Sequence, residues 1–318
     1  MALRLVDSQS DAYRAQLERA RSFVGEWLAC TDLGGNEVVR TAVAGSHAKG
    51  LDNARSDVDL MVYYRYAVPN ILRMRRSTLS TRPAGTIQRV EREAVTYAFE
   101  GGHYETILTP LRSLGSDKDL WQAVAQPNVD IVFKFLRSYP LSSSGAADEL
   151  ERFLLDEFHM PPGAVYGYFD GYATSQFMRL QKAVQKAGSG RGPEVNDSVK
   201  MLIEGAGMML AGAMLLERGE MSFSFEATLR RYESGLRDPA FVWSLFEHKT
   251  DRHRLEGEAA EQFKGGVGVK AEALHQDCKA IIHAARGAAV LKDPTDGERR
   301  RDLDRLDAIL LKAHGVTG

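Results

Sequence analysis

Cysteine is almost missing from this chain: Cys30 and Cys278 are the two in 318 residues. They stand far apart without metal-ligand spacing, which excludes a disulfide framework and suits a reducing, cytoplasmic compartment. A signal-peptide core is also lacking, since the N-terminus reads MALRLVDSQSDAYRAQLERA. No stretch reaches the roughly 20 apolar residues of a membrane span. The most apolar run, residues 205–216, ends in Glu217-Arg218 and predicts a buried helix, so no membrane partner is expected. The formal net charge is −2 and the sequence pI about 6.5, so no overall basic field points to DNA or RNA. Histidines never take the H-E-x-x-H spacing of a zinc site, and His248 and His253, in EHKTDRHR, read as charged surface. No internal repeat is visible.

What is present centres on VVRTAVAGSHAKGLDNARSDVDLMVYY: an apolar strand ending in Gly45-Ser46, then a second strand carrying Asp57 and Asp59. Side chains at i and i+2 of a strand share a face, so the two carboxylates are presented together and repel unless a cation sits between them. Magnesium takes one or two carboxylates plus substrate phosphates, the arrangement that serves phosphoryl-group displacement. A glycine at a strand-to-helix junction lets backbone approach a phosphate, and the following helix N-terminus offers donors and positive dipole. The Ser46 hydroxyl adds a donor. His47 either donates to a phosphate or fills the loop, and Lys49 is a further basic candidate. The other glycine-rich stretches read differently. GSGRGP at 188–193 lacks the P-loop pattern and reads as an inter-helix connection, and KGGVGVK at 264–270 as a hinge or loop.

Gly45, Ser46, Ala48, Gly50, Ser56, Asp57, Asp59 and Leu60 stand at the spacing G-S-x-A-x-G-x-x-x-x-x-S-D-x-D-L. In this the chain resembles the DNA polymerase β-like nucleotidyltransferase superfamily. The resemblance implies that both aspartates bind divalent metal, magnesium or manganese, that Gly-Ser holds the triphosphate of a nucleotide, ATP as donor, and that a third carboxylate comes from a later strand. Glu105 is the best candidate for that acid. The segments Ala94–Phe99 and 103–108, separated by Gly101-Gly102, read as a β-hairpin, with His103, Glu105 and Ile107 on one face. E-T-I-L-T-P-L-R from Glu105 resembles the family's D-x-T-x-Y-P-L-R.

Three further stretches resemble a bacterial and phage branch of predicted nucleotidyltransferases: QPNVDIVF (126–133), FDGYATSQFMRLQK (169–182) and SVKMLIEGAGMMLAGAMLLERGEMSF (198–223). That branch carries K-H-x-x-H-x-x-R on its long helix. Here Lys200 remains, either a phosphate contact or a solvated lysine, while Met201, Glu204 and Gly207 replace the other three. The resemblance therefore implies transfer of a nucleoside monophosphate to an acceptor hydroxyl on RNA or tRNA, protein or a small molecule, with pyrophosphate release. The changed helix leaves an inactive nucleotide- or RNA-binding module as the alternative.

The expected fold is α+β: a small mixed β-sheet core backed by helices, followed by a mainly helical domain. Tyr13, Leu17, Ala20, Phe23, Val24 and Leu28 mark an amphipathic helix over 9–30. Strands are expected at 38–44 and 57–64. Arg73, Arg75, Arg76, Arg82, Arg89 and Arg92 make a basic run, either a solvated face or a surface for an acidic acceptor. LSSSGAA at 141–147 reads as a linker between a catalytic domain, 1–140, and a helical domain, 148–318. The closing DLDRLDAILLKA reads as an amphipathic helix packing on its own domain.

Overall fold

The computed structural model describes residues 3–6, 17–18, 20–25, 28, 31–32, 35–53, 56, 58–65, 80–81, 87–91, 94–99, 102–110, 129–136, 138–187, 194–222 and 224–313. The fold is α+β. Six strands form one mixed sheet: β3 (Glu37–Val43), β4 (Val58–Arg65), β6 (Ile87–Glu91), β7 (Ala94–Phe99), β8 (Gly102–Pro110) and β9 (Tyr139–Ser143), in the order β6-β7-β8-β4-β3-β9. Strands β4 and β8 run parallel and every other neighbouring pair is antiparallel. Two small ribbons flank it, β1 (Arg4–Val6) beside β10 (Glu220–Ser222) and β2 (Thr31–Asp32) beside β5 (Ser80–Thr81).

Strand periodicity sorts β4 between two layers. Val58 and Leu60 meet Leu17, Ala20 and Val24, with Phe23 and Leu28 packed alongside, so the described part of the amphipathic N-terminal helix covers one face. Met61 and Tyr63 join the other, larger cluster, and Asp59 shares their parity. In β3, Val39 belongs to the larger cluster and Val43 to the smaller although their parity is equal. The register shift between Val38 and Arg40 accounts for the change of face.

The helical layer begins with α1 (Gly45–Ala48), a single turn, then α2 (Val129–Leu136) and α3 (Gly145–Arg152). It continues through α4 (Pro162–Ala187), α5 (Val195–Arg218), α6 (Phe225–Tyr232), α7 (Pro239–Lys249), α8 (Gly257–Gly287) and α9 (Asp296–Ala313). α5 is the axis, packed by α4 and α8. Its 24 residues are long and apolar enough to cross a membrane by length and composition, with mean hydropathy 1.6 in the most apolar window, but 78% of that window is buried inside the protein. The close approach uses glycine: a Cβ on Gly212 would lie 2.6 Å from Phe169 Cβ, and one on Gly205 2.8 Å from the Phe177 ring.

Two local expectations change. Residues 141–147 are not a linker: 141–143 end strand β9, hydrogen-bonded to β3 at the sheet edge, and Ser144 then caps α3 by accepting from the Ala147 N–H at 3.4 Å. Sheet pairing, invisible in a Ser-rich string, makes that strand. Residues 264–270 are not a hinge but an unbroken part of α8, where Phe263, Val267 and Ala271 are buried. Tertiary packing there overrides the glycines' low helix propensity. The C-terminal leucine stripe does pack internally, through buried Leu306, Ile309 and Ala313. Residues 188–193, together with Arg73, Arg75, Arg76, Arg82 and Arg92, lie outside the described residues, as does the Arg89 side chain.

Candidate functional site

Strand β3 ends at Val43, and the Ala44 N–H donates to the Asp59 carbonyl at 2.8 Å. Gly45 then turns with φ +65°, and a Cβ there would sit 1.5 Å from Asp59 Oδ2. Glycine is thus required twice, by the sign of φ and by space. The carboxylate of Asp59 lies directly against the backbone of the Gly-Ser turn. Because α1 has four residues, its dipole is too short to attract an anion strongly. Positive charge around the site comes from side chains instead.

Gly45, Ser46 and Asp59 line one wall of a cleft of about 560 Å³, and Lys49 contributes from the residue after the turn. The rest of the lining carries both signs: Asp197, Lys200 and Glu204 from α5, Lys249 from the end of α7, and Asp251, Arg254 and Glu256 beyond it. That volume suits a nucleotide-sized ligand. Burial, then the positive charge of Lys200, holds the Lys249 ammonium below the ordinary lysine range. Lys49, Lys200, Lys249 and Arg254 share the cleft with Asp59, Asp197, Glu204, Asp251 and Glu256, so the lining offers donors to an anion beside carboxylates that would need a cation between them.

His47 is not among the cleft-lining residues. Its buried ring faces the Ser56 carbonyl through Nε2 at 3.3 Å and Asp52 Oδ2 through Nδ1 at 3.3 Å. It braces the loop between β3 and β4 from behind. Burial raises the proton affinity of Asp52, but the hydrogen bond and charge of His47 outweigh it and leave the carboxyl below its usual range. Asn53 and Ser56 close the loop: the Asn53 N–H donates to Ser56 Oγ (3.0 Å), whose hydroxyl donates to Asn53 Oδ1 (3.2 Å).

Asp57 lies outside the described residues. For Glu105 the backbone alone is described, and it is the register partner of Asp59 on the adjacent parallel strand β8. Among the described residues no group of three His, Cys, Asp or Glu side chains is placed to hold a metal. Asp59 is the one expected metal ligand whose side chain is described.

The three replaced helix positions separate in space. Glu204 lines the cleft and accepts from the Tyr172 hydroxyl at 3.4 Å. Met201 is half-buried against the core, and a Cβ on Gly207 would meet the Phe225 ring at 2.8 Å. An arginine at 207 has no room in this packing.

The EHKTDRHR segment is not simply charged surface. His248 is buried, with Nε2 2.8 Å from Asn196 Oδ1 and Nδ1 accepting from the Leu255 N–H at 2.9 Å. It ties α7, the following loop and the start of α5 together, and like Asn196 and Leu255 it lines the cleft. Burial, then the charge of Arg254, holds its imidazole below the ordinary value, which keeps Nδ1 free to accept. Asp238-Pro239 is a readable start for α7, with Asp238 Oδ1 accepting from the Phe241 N–H at 3.0 Å. That signal puts His248 and Lys249 at a helix end, although only packing turns that end toward the cleft. Compared with known proteins, the chain matches no family model and no curated sequence.

Proposed function

We propose that this chain is a metal-dependent nucleotidyltransferase of the DNA polymerase β-like kind. It would move a nucleoside monophosphate from a triphosphate, with ATP as donor, to a hydroxyl of RNA, protein or a small molecule. The supporting observation is the cleft that brings Gly45, Ser46 and Asp59 together with Lys200 and Lys249. It pairs a backbone turn without a Cβ, able to lie close to phosphate, and the carboxylate of Asp59 with lysine ammonium groups that share the cleft with further carboxylates.

Asp57, Asp59 and Glu105 are the residues that would hold magnesium or manganese. The fit rests on Asp59 at the turn and on its register with position 105. A divalent cation bound there would neutralise phosphate charge and lower the pKa of the attacking hydroxyl. Ser46 donates to the triphosphate, and Lys200 and Lys249 hold its outer phosphates. The acceptor oxygen forms a bond to the α-phosphorus as the bond between that phosphorus and the bridging oxygen breaks. Pyrophosphate leaves with the electron pair, and Glu105 is the group assigned to take the acceptor's proton.

Each of the four α-phosphate-labelled triphosphates, incubated with magnesium, the protein and a cell lysate, tests this directly. Label is expected in one fraction of protein, RNA or small molecules, and is expected to vanish in Asp57→Asn and Asp59→Asn. Undiminished labelling by both variants would refute the reading.

A further inference from the structure

The cleft has two walls that belong to distant parts of the chain, and Asn53 joins them. Its Nδ2 donates to the Lys249 carbonyl at 2.9 Å, across 196 positions of sequence. That carbonyl is one of the last in α7, a group without an intrahelical partner that a side-chain donor satisfies. The other end of the same amide is engaged as well, because Oδ1 accepts from the Ser56 hydroxyl at 3.2 Å. Ser56 in turn presents its carbonyl to buried His47 at 3.3 Å. It also directly precedes Asp57 and stands three residues before Asp59, the carboxylate packed on Gly45. Both Asn53 and Ser56 line the cleft, as does Lys249. One planar amide therefore spans from the residue that offers an ammonium to the ligand to the loop that carries the aspartates.

We propose that Asn53 is a positioning residue that couples anion binding at Lys249 to the order of the aspartate loop. The assignment rests on the transferase reading for its effect on turnover, but the coupling itself is a property of the fold. An anion drawn to Lys249 fixes the end of α7, and the Asn53 amide passes that restraint to Ser56 and to the start of β4. Asparagine serves both ends with one rigid group, since it alone among similar-sized side chains carries a donor and an acceptor in a plane. Aspartate at this position keeps the acceptor for Ser56 but sets a carboxylate oxygen against the Lys249 carbonyl, cutting the link to α7 and adding a negative charge to the cleft.

The test compares wild type, Asn53→Asp and Lys249→Met, with inorganic pyrophosphate as probe. Hydrogen exchange of peptides covering residues 51–60 should slow on pyrophosphate binding in wild type. The same peptides in Asn53→Asp should not respond even at pyrophosphate concentrations raised to saturate the variant, whose added carboxylate weakens binding. Lys249→Met keeps its backbone carbonyl, so its tether survives while its pyrophosphate affinity falls about tenfold. In the labelling assay Asn53→Asp should lower kcat about tenfold at saturating triphosphate, and Lys249→Met should chiefly raise KM. Pyrophosphate-induced protection of 51–60 in Asn53→Asp equal to wild type overturns the coupling, whatever the labelling shows. Absence of labelling by wild type with every triphosphate would instead refute the transferase reading and leave the exchange result to decide the tether.

Discussion

At the scale of single residues, Gly45 and Asp59 act as one unit. Gly45→Ala forces a Cβ into the space of Asp59 Oδ2, 1.5 Å away, at a backbone φ of +65°. The expected cost is about 1–3 kcal/mol of stability from backbone strain, together with loss of labelling because the carboxylate must move. A melting curve and the labelling assay on this variant check the two effects separately. His248 carries a pH dependence. Its folded pKa lies below the ordinary 6.5, so above that pH neither folded nor unfolded chain holds the extra proton and the buried ring contributes fully. As pH falls through 6.5 the unfolded chain takes up a proton that the folded ring resists, and stability drops until the folded pKa is passed. His248→Gln should flatten the melting temperature between pH 7 and pH 5 relative to wild type, and an unchanged acid slope would show that other groups set it. The motif residues were legible because each is fixed by local chemistry: a glycine where φ is positive, acids at strand spacing. His248 and Lys249 were not, since their role depends on which way a helix end faces.

Helices and strands show the same division. Hydrophobic period places the N-terminal helix on the sheet through Leu17, Ala20 and Val24, and alternation places Val58 and Leu60 against it. Glycine misleads in α8, where residues 264–270 read as a hinge. Within α5 it permits close helix packing rather than a break, and the consequence is measurable. Gly212→Ala gains helix propensity of about 1 kcal/mol, but its Cβ would lie 2.6 Å from Phe169 Cβ, an atom anchored to its own backbone. Overpacking should win, with net destabilisation of about 1–3 kcal/mol in urea unfolding. Strand β9 was hidden for another reason: YPLSS has little apolar pattern, and its edge position beside β3 lets Pro140 be tolerated there.

Across the whole molecule, sheet and helices share one apolar cluster, from Val39, Met61 and Tyr63 to the helices. Arg40 crosses the same boundary. Fully buried on β3, it stands 3.0 Å from Glu151 of α3, with its guanidinium 4.3 Å over the Phe135 ring of α2. Glu151→Ala leaves this cation buried without its counter-ion, at a cost of about 3 kcal/mol. Replacing both with Arg40→Met and Glu151→Leu should cost less than Glu151→Ala alone, as read from urea midpoints. A double variant as unstable as the single would show that the guanidinium also matters for packing.

By itself the sequence determined the strand-turn-strand around Gly45, Ser46 and Asp59, the amphipathic N-terminal helix and the buried character of α5. Each follows from interactions within a few residues: backbone sterics, side-chain period and apolar content. Only the tertiary structure decided that residues 139–143 complete the sheet and that His47 braces rather than lines the cleft. It alone brought Lys249 within a hydrogen bond of Asn53 through its carbonyl. Those outcomes rest on contacts between segments a hundred or more residues apart, or on which face of a loop is buried. Local propensity is blind to both, and packing resolves them.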